Sequence, residues 1–210
     1  MTNSDLVGQL IKDGYLKTPA IIEAFQKIDR RDFVIAAHAE DAYLNVPLPI
    51  GNGQTISQPL TVAFMLELLA PRKGEKILEI GSGSGWQTAL LVQIVGEEGK
   101  VIALEIDPDL KKMTEENLAK CGLKREGSVK VISGDGFWGW PGEAPFDKIV
   151  AAAAGPAIPE SWKEQLRLGG RLVAPIKESI VFLEKNEAGH FIEKSFFGFK
   201  FVPLKTGAAA

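Results

Sequence analysis

Apolar positions recur at helical spacing through residues 4–34. Leu6, Leu10 and Ile11 form one set, and Ile21, Ile22, Phe25 and Ile28 form the next. Between them, Lys17-Thr18-Pro19 carries a helix-start signature, an N-cap hydroxyl followed by proline in the first turn. Helical spacing resumes at Leu60, with Leu60, Phe64 and Leu68 on one stripe and Met65 and Leu69 beside it, ending near Pro71 and Gly74. From residue 76 onward short apolar runs alternate with helical periods. Residues 76–80, 101–106, 129–132, 148–152 and 171–176 read as strands, and 86–95, 109–121 and 161–168 as helices, the second opened by Asp107 and Pro108. This alternation predicts an α/β fold with a mostly parallel, doubly wound sheet. The tail, residues 179–204, holds three closely spaced apolar runs (IVFLEK, HFIEKSFF and GFKFVPL), read as antiparallel strands at the sheet edge. The terminal Gly-Ala-Ala-Ala reads as a disordered end.

Residues 41–59 break the pattern. This stretch holds several prolines and glycines, too many for a helix, and is expected to be a long ordered loop of the kind that tends to be functional. Asn52-Gly53 within it reads as a turn at positive φ.

Composition narrows the function classes. With 45% apolar and 24% charged residues in 210, the chain is an ordinary globular one, large enough for a core without disulfides. No apolar run is long enough to span a membrane, and no secretory signal opens the chain, so a cytoplasmic location is expected with no membrane partner. The formal net charge of −3 provides no general attraction for phosphate backbones, so no nucleic-acid partner is expected. One cysteine, Cys121, and two separated histidines, His38 and His190, support neither a metal site nor a Cys-His pair.

The glycines carry more. The predicted strand KILEI runs directly into Gly81-Ser82-Gly83-Ser84-Gly85 and then a helix, an arrangement that exposes backbone amides and a helix N-terminus to a ligand, or simply makes a tight turn. Glu105, followed by Ile106, stands twenty residues after Gly85 at the next strand end, where a nucleotide-binding unit places a carboxylate against ribose hydroxyls. A solvated strand-end acid is the plainer alternative. Trp86 occupies the position where a dinucleotide fingerprint needs its last glycine. G-x-G-x-G suits a ligand without pyrophosphate, with the amino-acid end of S-adenosylmethionine over the loop and its ribose at Glu105. Gly134-Asp135-Gly136 follows a further strand, where Asp135 could accept from an adenine amino group or merely form a turn.

At this level of detail the chain resembles the protein-L-isoaspartate O-methyltransferase family over nearly its whole length. The shared methyltransferase segments are LEIGSGSGWQT, ALEID, GDG, PFDKIV and LRLGGRLV, while PLPIGNGQTISQP, DRRDFV and FVPL narrow the family. The resemblance implies a class I, Rossmann-like fold with a helical N-terminal cap. It also implies methyl transfer from S-adenosylmethionine to the free carboxylate of isoaspartyl residues in damaged proteins and peptides, leaving S-adenosylhomocysteine. It assigns Ser57 as the active-site hydroxyl, Gln54, Thr55 and Ile56 to the same corner, and Val202 and Pro203 to the peptide. Gly81, Ser82, Gly83, Ser84, Glu105, Ile106, Asp135 and Gly136 fall to the cofactor. One domain over 1–210 is expected, monomeric, divided into a cap and substrate loop (1–59), a cofactor-binding core (60–178) and C-terminal strands and tail (179–210). The chain departs from the family's habit at Ile35, at Asn45, in VAAAAG, which lacks a threonine, and in a shorter connection after Ile176.

The residues fit this chemistry on their own terms. A carboxylate with a reference pKa near ~4 is already ionised at neutral pH, so attack on a sulfonium methyl needs alignment and exclusion of water and no general base. Ser57 could orient that carboxylate, cap the helix that begins after Gln58-Pro59, or do both. The rival readings are a methyltransferase for another small-molecule or protein group, which keeps every cofactor residue, and a non-catalytic cofactor-binding module.

Overall fold

The computed structural model describes residues 1–123 and 127–207. A seven-stranded sheet is built from β3 (Lys76–Ile80), β4 (Lys100–Glu105), β5 (Val129–Ser133), β6 (Phe146–Ala151), β7 (Leu166–Ile176), β8 (Ser179–Lys185) and β9 (Phe191–Phe197), in the order β5-β4-β3-β6-β7-β8-β9. The first five spatial positions are parallel, and β8 and β9 add on antiparallel, as the tail pattern predicts. Helices α1 (Asn3–Lys12), α2 (Pro19–Lys27), α3 (Pro59–Leu69), α4 (Trp86–Val95), α5 (Pro108–Lys120) and α6 (Glu160–Glu164) cover the sheet. Strand alternation sorts β3 between two cores: Ile77 packs with α1 to α4, and Leu78 and Ile80 join Phe146, Trp162 and Leu166 on the other side.

Several expectations change. Residues 48–56 are not a loop but a hairpin, β1 (Leu48–Gly51) with β2 (Gln54–Ile56), turning through Asn52 at φ 52° and Gly53 at φ 70°. Leu48 and Ile50 point inward, and a two-stranded ribbon tolerates Pro49 because it is all edge. The predicted 161–168 helix is one short turn. Leu166 instead opens β7 opposite Phe146, and Gly169 at φ 70° lets the strand bulge before pairing resumes at Arg171. GFKFVPL is not a third tail strand. Gly198, at φ 106°, turns the chain away, and only Pro203 bridges to Ala154.

In α1 the inward set is Leu6, Val7 and Leu10, with Ile11 40% exposed. The stripe Leu60-Phe64-Leu68 is the less buried side of α3 and is roofed by the tail, Phe64 meeting Phe196 and Phe199 at 5.2 Å each. Thr18 stands at the N-cap of α2, but its hydroxyl donates to Glu67 Oε2 on α3 at 2.7 Å. Asp107 caps α5 as predicted, accepting from the N–H groups of Asp109 and Leu110. The shortened connection after Ile176 is a two-residue turn, Lys177-Glu178, with Lys177 at φ 54°. The terminal alanines, residues 208–210, lie outside the described residues.

Candidate active site

β3 has β4 on one side and β6 on the other, and the chain's order reverses there, so a crevice opens beyond the carboxyl ends of the strands. Gly81 (φ 84°), Gly83 (φ 55°) and Gly85 (φ 85°) take the loop through left-handed backbone that other residues avoid. A Cβ on Gly85 would stand 3.2 Å from Thr114 Cγ2, so α5 presses directly on the loop. Thr114 donates to the Gly83 carbonyl at 2.9 Å, and Ser82 Oγ lies 2.9 Å from Thr114 Oγ1. Because the Thr114 proton is spent on Gly83, Ser82 is the donor in that pair. Asn117 Nδ2 donates to the Ser84 carbonyl at 2.9 Å. The outer polar groups of the loop are thus taken up by α5, and its inner backbone faces the crevice.

Glu105 closes the loop from the end of β4. Its Oε2 accepts the Gly83 N–H at 2.9 Å and its Oε1 the Asp107 N–H at 3.1 Å, leaving each oxygen a further lone pair. Beneath the loop lies a second acid. Period-two alternation puts Glu79 on the same face of β3 as Ile77, under α4, where it is wholly buried. Gln87 Nε2 donates to Glu79 Oε1 at 3.1 Å, while Oε2 has no hydrogen-bond partner. Burial pushes the Glu79 carboxyl up to about 7, opposed by Thr88 and Gln87 and assisted by the charge of Glu105.

The facing wall comes from both ends of the chain. Gln54, Thr55, Ile56 and Ser57 line the pocket with Gly81 to Ser84, Glu105, Ile106, Gly136, Val202 and Pro203. Ser57 is not a helix cap. The N-cap of α3 is Gln58, without a side-chain bond, and Asn45 Oδ1 accepts the Leu60 N–H at 3.0 Å in its stead. At the pocket's edge the Asn52 amide donates to both Asp107 oxygens, at 2.9 and 3.0 Å. Burial, the largest single influence, raises the Asp107 carboxyl, but hydrogen bonds from the Leu110 N–H, the Asn52 amide and the Asp109 N–H, with the charge of Lys205, together hold it below its usual range. Lys205 Nζ donates to the Asn52 carbonyl at 3.3 Å.

Of the residues assigned to cofactor, substrate or catalysis from the sequence, only Asp135 stays off the wall. Its Oδ1 accepts the Phe137 N–H at 2.9 Å and its Oδ2 the Gly207 N–H at 3.0 Å. Gly136 is required beside it, since a Cβ there would meet Ile80 Cγ2 at 2.4 Å. The pocket also takes in Val62, Trp86, Gln87, Asp107, Leu110, Ala152 and Lys205. The capping pattern Asp-Pro-Asp marked Asp107 as structural, and nothing in the sequence tied Lys205 to a residue 153 positions away.

A family profile described as protein-L-isoaspartate(D-aspartate) O-methyltransferase matches residues 1–209. The chain belongs to this family. A Methanopyrus kandleri protein-L-isoaspartate O-methyltransferase is 43% identical over 203 residues, 95% of this chain and 89% of that one. One from Archaeoglobus fulgidus is 43% identical over 188 residues, 88% of this chain and 84% of that one. Among solved structures, a family member from Plasmodium falciparum in complex with S-adenosyl-L-homocysteine superposes with a TM-score of 0.86 at 25% identity, covering 99% of this chain and all of that one. A second protein-L-isoaspartate O-methyltransferase gives 0.85 at 26% identity and covers 96% of this chain, which spans 65% of that one. Two of the chain's departures from the family have structural answers here. Asn45, where the family resemblance suggests aspartate, still supplies the acceptor for the Leu60 N–H, and the short connection after Ile176 is tied down by the Lys177 N–H donating to the Gly155 carbonyl at 3.1 Å.

Proposed function

We propose that the chain is a repair enzyme that transfers a methyl group from S-adenosylmethionine to the free carboxylate of L-isoaspartyl residues in proteins and peptides. The observation that carries this is a single pocket with the glycine loop and Glu105 on one wall and the Gln54-Thr55-Ile56-Ser57 segment on the other. The donor set fits the cofactor. Glu105 keeps one lone pair per oxygen for two ribose hydroxyls, and the Ser84 N–H with the start of α4 offers backbone donors to its amino-acid end, the other loop N–H groups being taken up by Leu104, Glu105 and Ser82. Space also remains at Gly134, where a Cβ would meet nothing within 4 Å. When bound, S-adenosylmethionine supplies an electrophilic methyl on a sulfonium centre.

Everything else is orientation. The Ser57 hydroxyl, with no hydrogen-bond partner among the described residues, donates to one substrate carboxylate oxygen and leaves the other to attack. Gln54, Thr55 and Ile56 wall the same corner, and Val202 and Pro203 frame the peptide beside it. Neither histidine lines the pocket, in keeping with a nucleophile that is ionised before it binds. Residues 60–178 serve the cofactor, and 1–59 with the segment from 179 onward serve the substrate. In a methyl-transfer assay, a peptide containing isoaspartate should be labelled and its aspartate twin should not. Equal labelling, or none, overturns this assignment.

A further inference from the structure

Arg30 is the one arginine of the described residues with no exposed surface, and no carboxylate pairs with it. Its guanidinium is bonded instead to four backbone carbonyls: Nη1 donates to Ala42 at 2.6 Å and to Leu44 at 3.4 Å, and Nη2 to Val46 at 3.0 Å and to Ser57 at 3.2 Å. Its plane also lies over the Trp86 ring, 5.3 Å from the centroid, and Trp86 is the first residue of α4 beyond the glycine loop. A desolvated cation with no counter-charge is costly, and a fold seeking only stability would use an apolar side chain there. What a guanidinium provides is a planar fork able to hold several acceptors at fixed angles.

We infer that Arg30 is a positioning residue for methyl transfer, resting on the function proposed above. It locks the Ser57 backbone and the 42–46 segment to the cofactor side of the pocket. The Ser57 carbonyl is fixed by Arg30, its side chain faces the pocket, and the same cation rests on a residue that lines the cofactor wall. The segment's other fastenings, Gln58 Nε2 to the Asn45 carbonyl at 2.9 Å and the Leu60 N–H to Asn45 Oδ1 at 3.0 Å, tie it to the start of α3, whereas Arg30 reaches Trp86 of α4. The Ser57 hydroxyl can then hold a substrate carboxylate at one distance from the methyl donor without touching that donor itself.

Arg30→Lys keeps the charge and loses the fork. At a temperature well below unfolding, kcat on an isoaspartyl peptide should fall at least ~30-fold, while the dissociation constant for S-adenosylhomocysteine changes less than ~3-fold. Leu10→Ala, buried in α1 away from the pocket, serves as the control for lost stability alone and should leave kcat within ~2-fold. An unchanged kcat in Arg30→Lys, or an equal loss in Leu10→Ala, overturns the inference. Wild-type protein inactive on the peptide would instead sink the functional reading. Should Arg30→Lys fail to fold, nitrogen-15 spectra of the wild type decide: separate, slowly exchanging Arg30 Nη signals are expected, and one rapidly averaged signal overturns the clamp.

Discussion

Glu105 Oε2 accepts the Gly83 N–H at 2.9 Å, so the strand-end acid and the centre of the glycine loop form one unit before any ligand arrives. Removing the acid therefore has two effects. Glu105→Ala should raise the cofactor dissociation constant at least about tenfold, the loss of charge-assisted bonds to ribose, and should also cost about 1–3 kcal/mol of stability by orphaning the Gly83 and Asp107 N–H groups. Glu105→Gln keeps acceptors for part of that network and should recover stability more than binding. Calorimetric titration alongside urea denaturation measures both; unchanged cofactor binding would reject the ribose role.

Ser57→Ala is expected to separate activity from stability. Because Gln58 holds the N-cap position and the Leu60 N–H is served by Asn45, removing the hydroxyl should change stability by less than about 0.5 kcal/mol. Turnover on an isoaspartyl peptide should fall about a hundredfold as the substrate carboxylate loses its orienting donor. A stability loss of cap size with kcat intact would return Ser57 to a structural role.

Glu79 gives the protein a pH dependence of unusual sign for an acid. Its folded pKa, about 7, stands above the usual 4.5, so between those values the folded state holds a proton that the unfolded chain has released. Stability therefore falls as pH rises through that window and stays lower above it. Glu79→Gln removes the ionisation and should flatten this slope, gaining up to about 3 kcal/mol over wild type at pH 8. Denaturation curves at pH 5, 6, 7 and 8 test it, and a wild-type slope matched by the variant would rule Glu79 out as its source.

The Asn52 amide between Asp107 and Asp109 invites a charge test. Asn52→Asp tolerates the same left-handed backbone yet sets a third carboxylate against two. At low ionic strength it should lose about 0.5–1 kcal/mol of stability and bind cofactor more weakly, with part of both losses restored by salt. Identical losses at 20 mM and 500 mM salt (~20 Å and ~4 Å of screening length) would mean that charge is not the cause.

The parallel sheet was legible because strands buried on both faces leave continuous apolar runs, and the glycine loop with Glu105 because two features stood in register. The β1-β2 hairpin was hidden by Pro47 and Pro49, which argue against strands except where every strand is an edge. Arg30 was hidden by its neighbour. Arg30 and Arg31 stand side by side with nothing in the sequence to tell them apart, yet only Arg31 reaches solvent and an acid, Glu40, while Arg30 turns inward to carbonyls 12 to 27 positions away. Glu79 likewise looks like the polar phase of an alternating strand, and only the packing of α4 onto that face makes it a buried acid.

The contact of Lys205 with the Asn52 carbonyl spans 153 positions, whereas the sheet beside it grows from neighbouring βα units. Closing a loop costs only about 0.6 kcal/mol more for each doubling of its length, so the distance along the chain adds little to the cost of making this contact. Residues 202–207 are seated by three separate parts of the chain, Ala154, Asn52 and Asp135, so the pocket's last wall is a product of the whole fold and of no single βα unit.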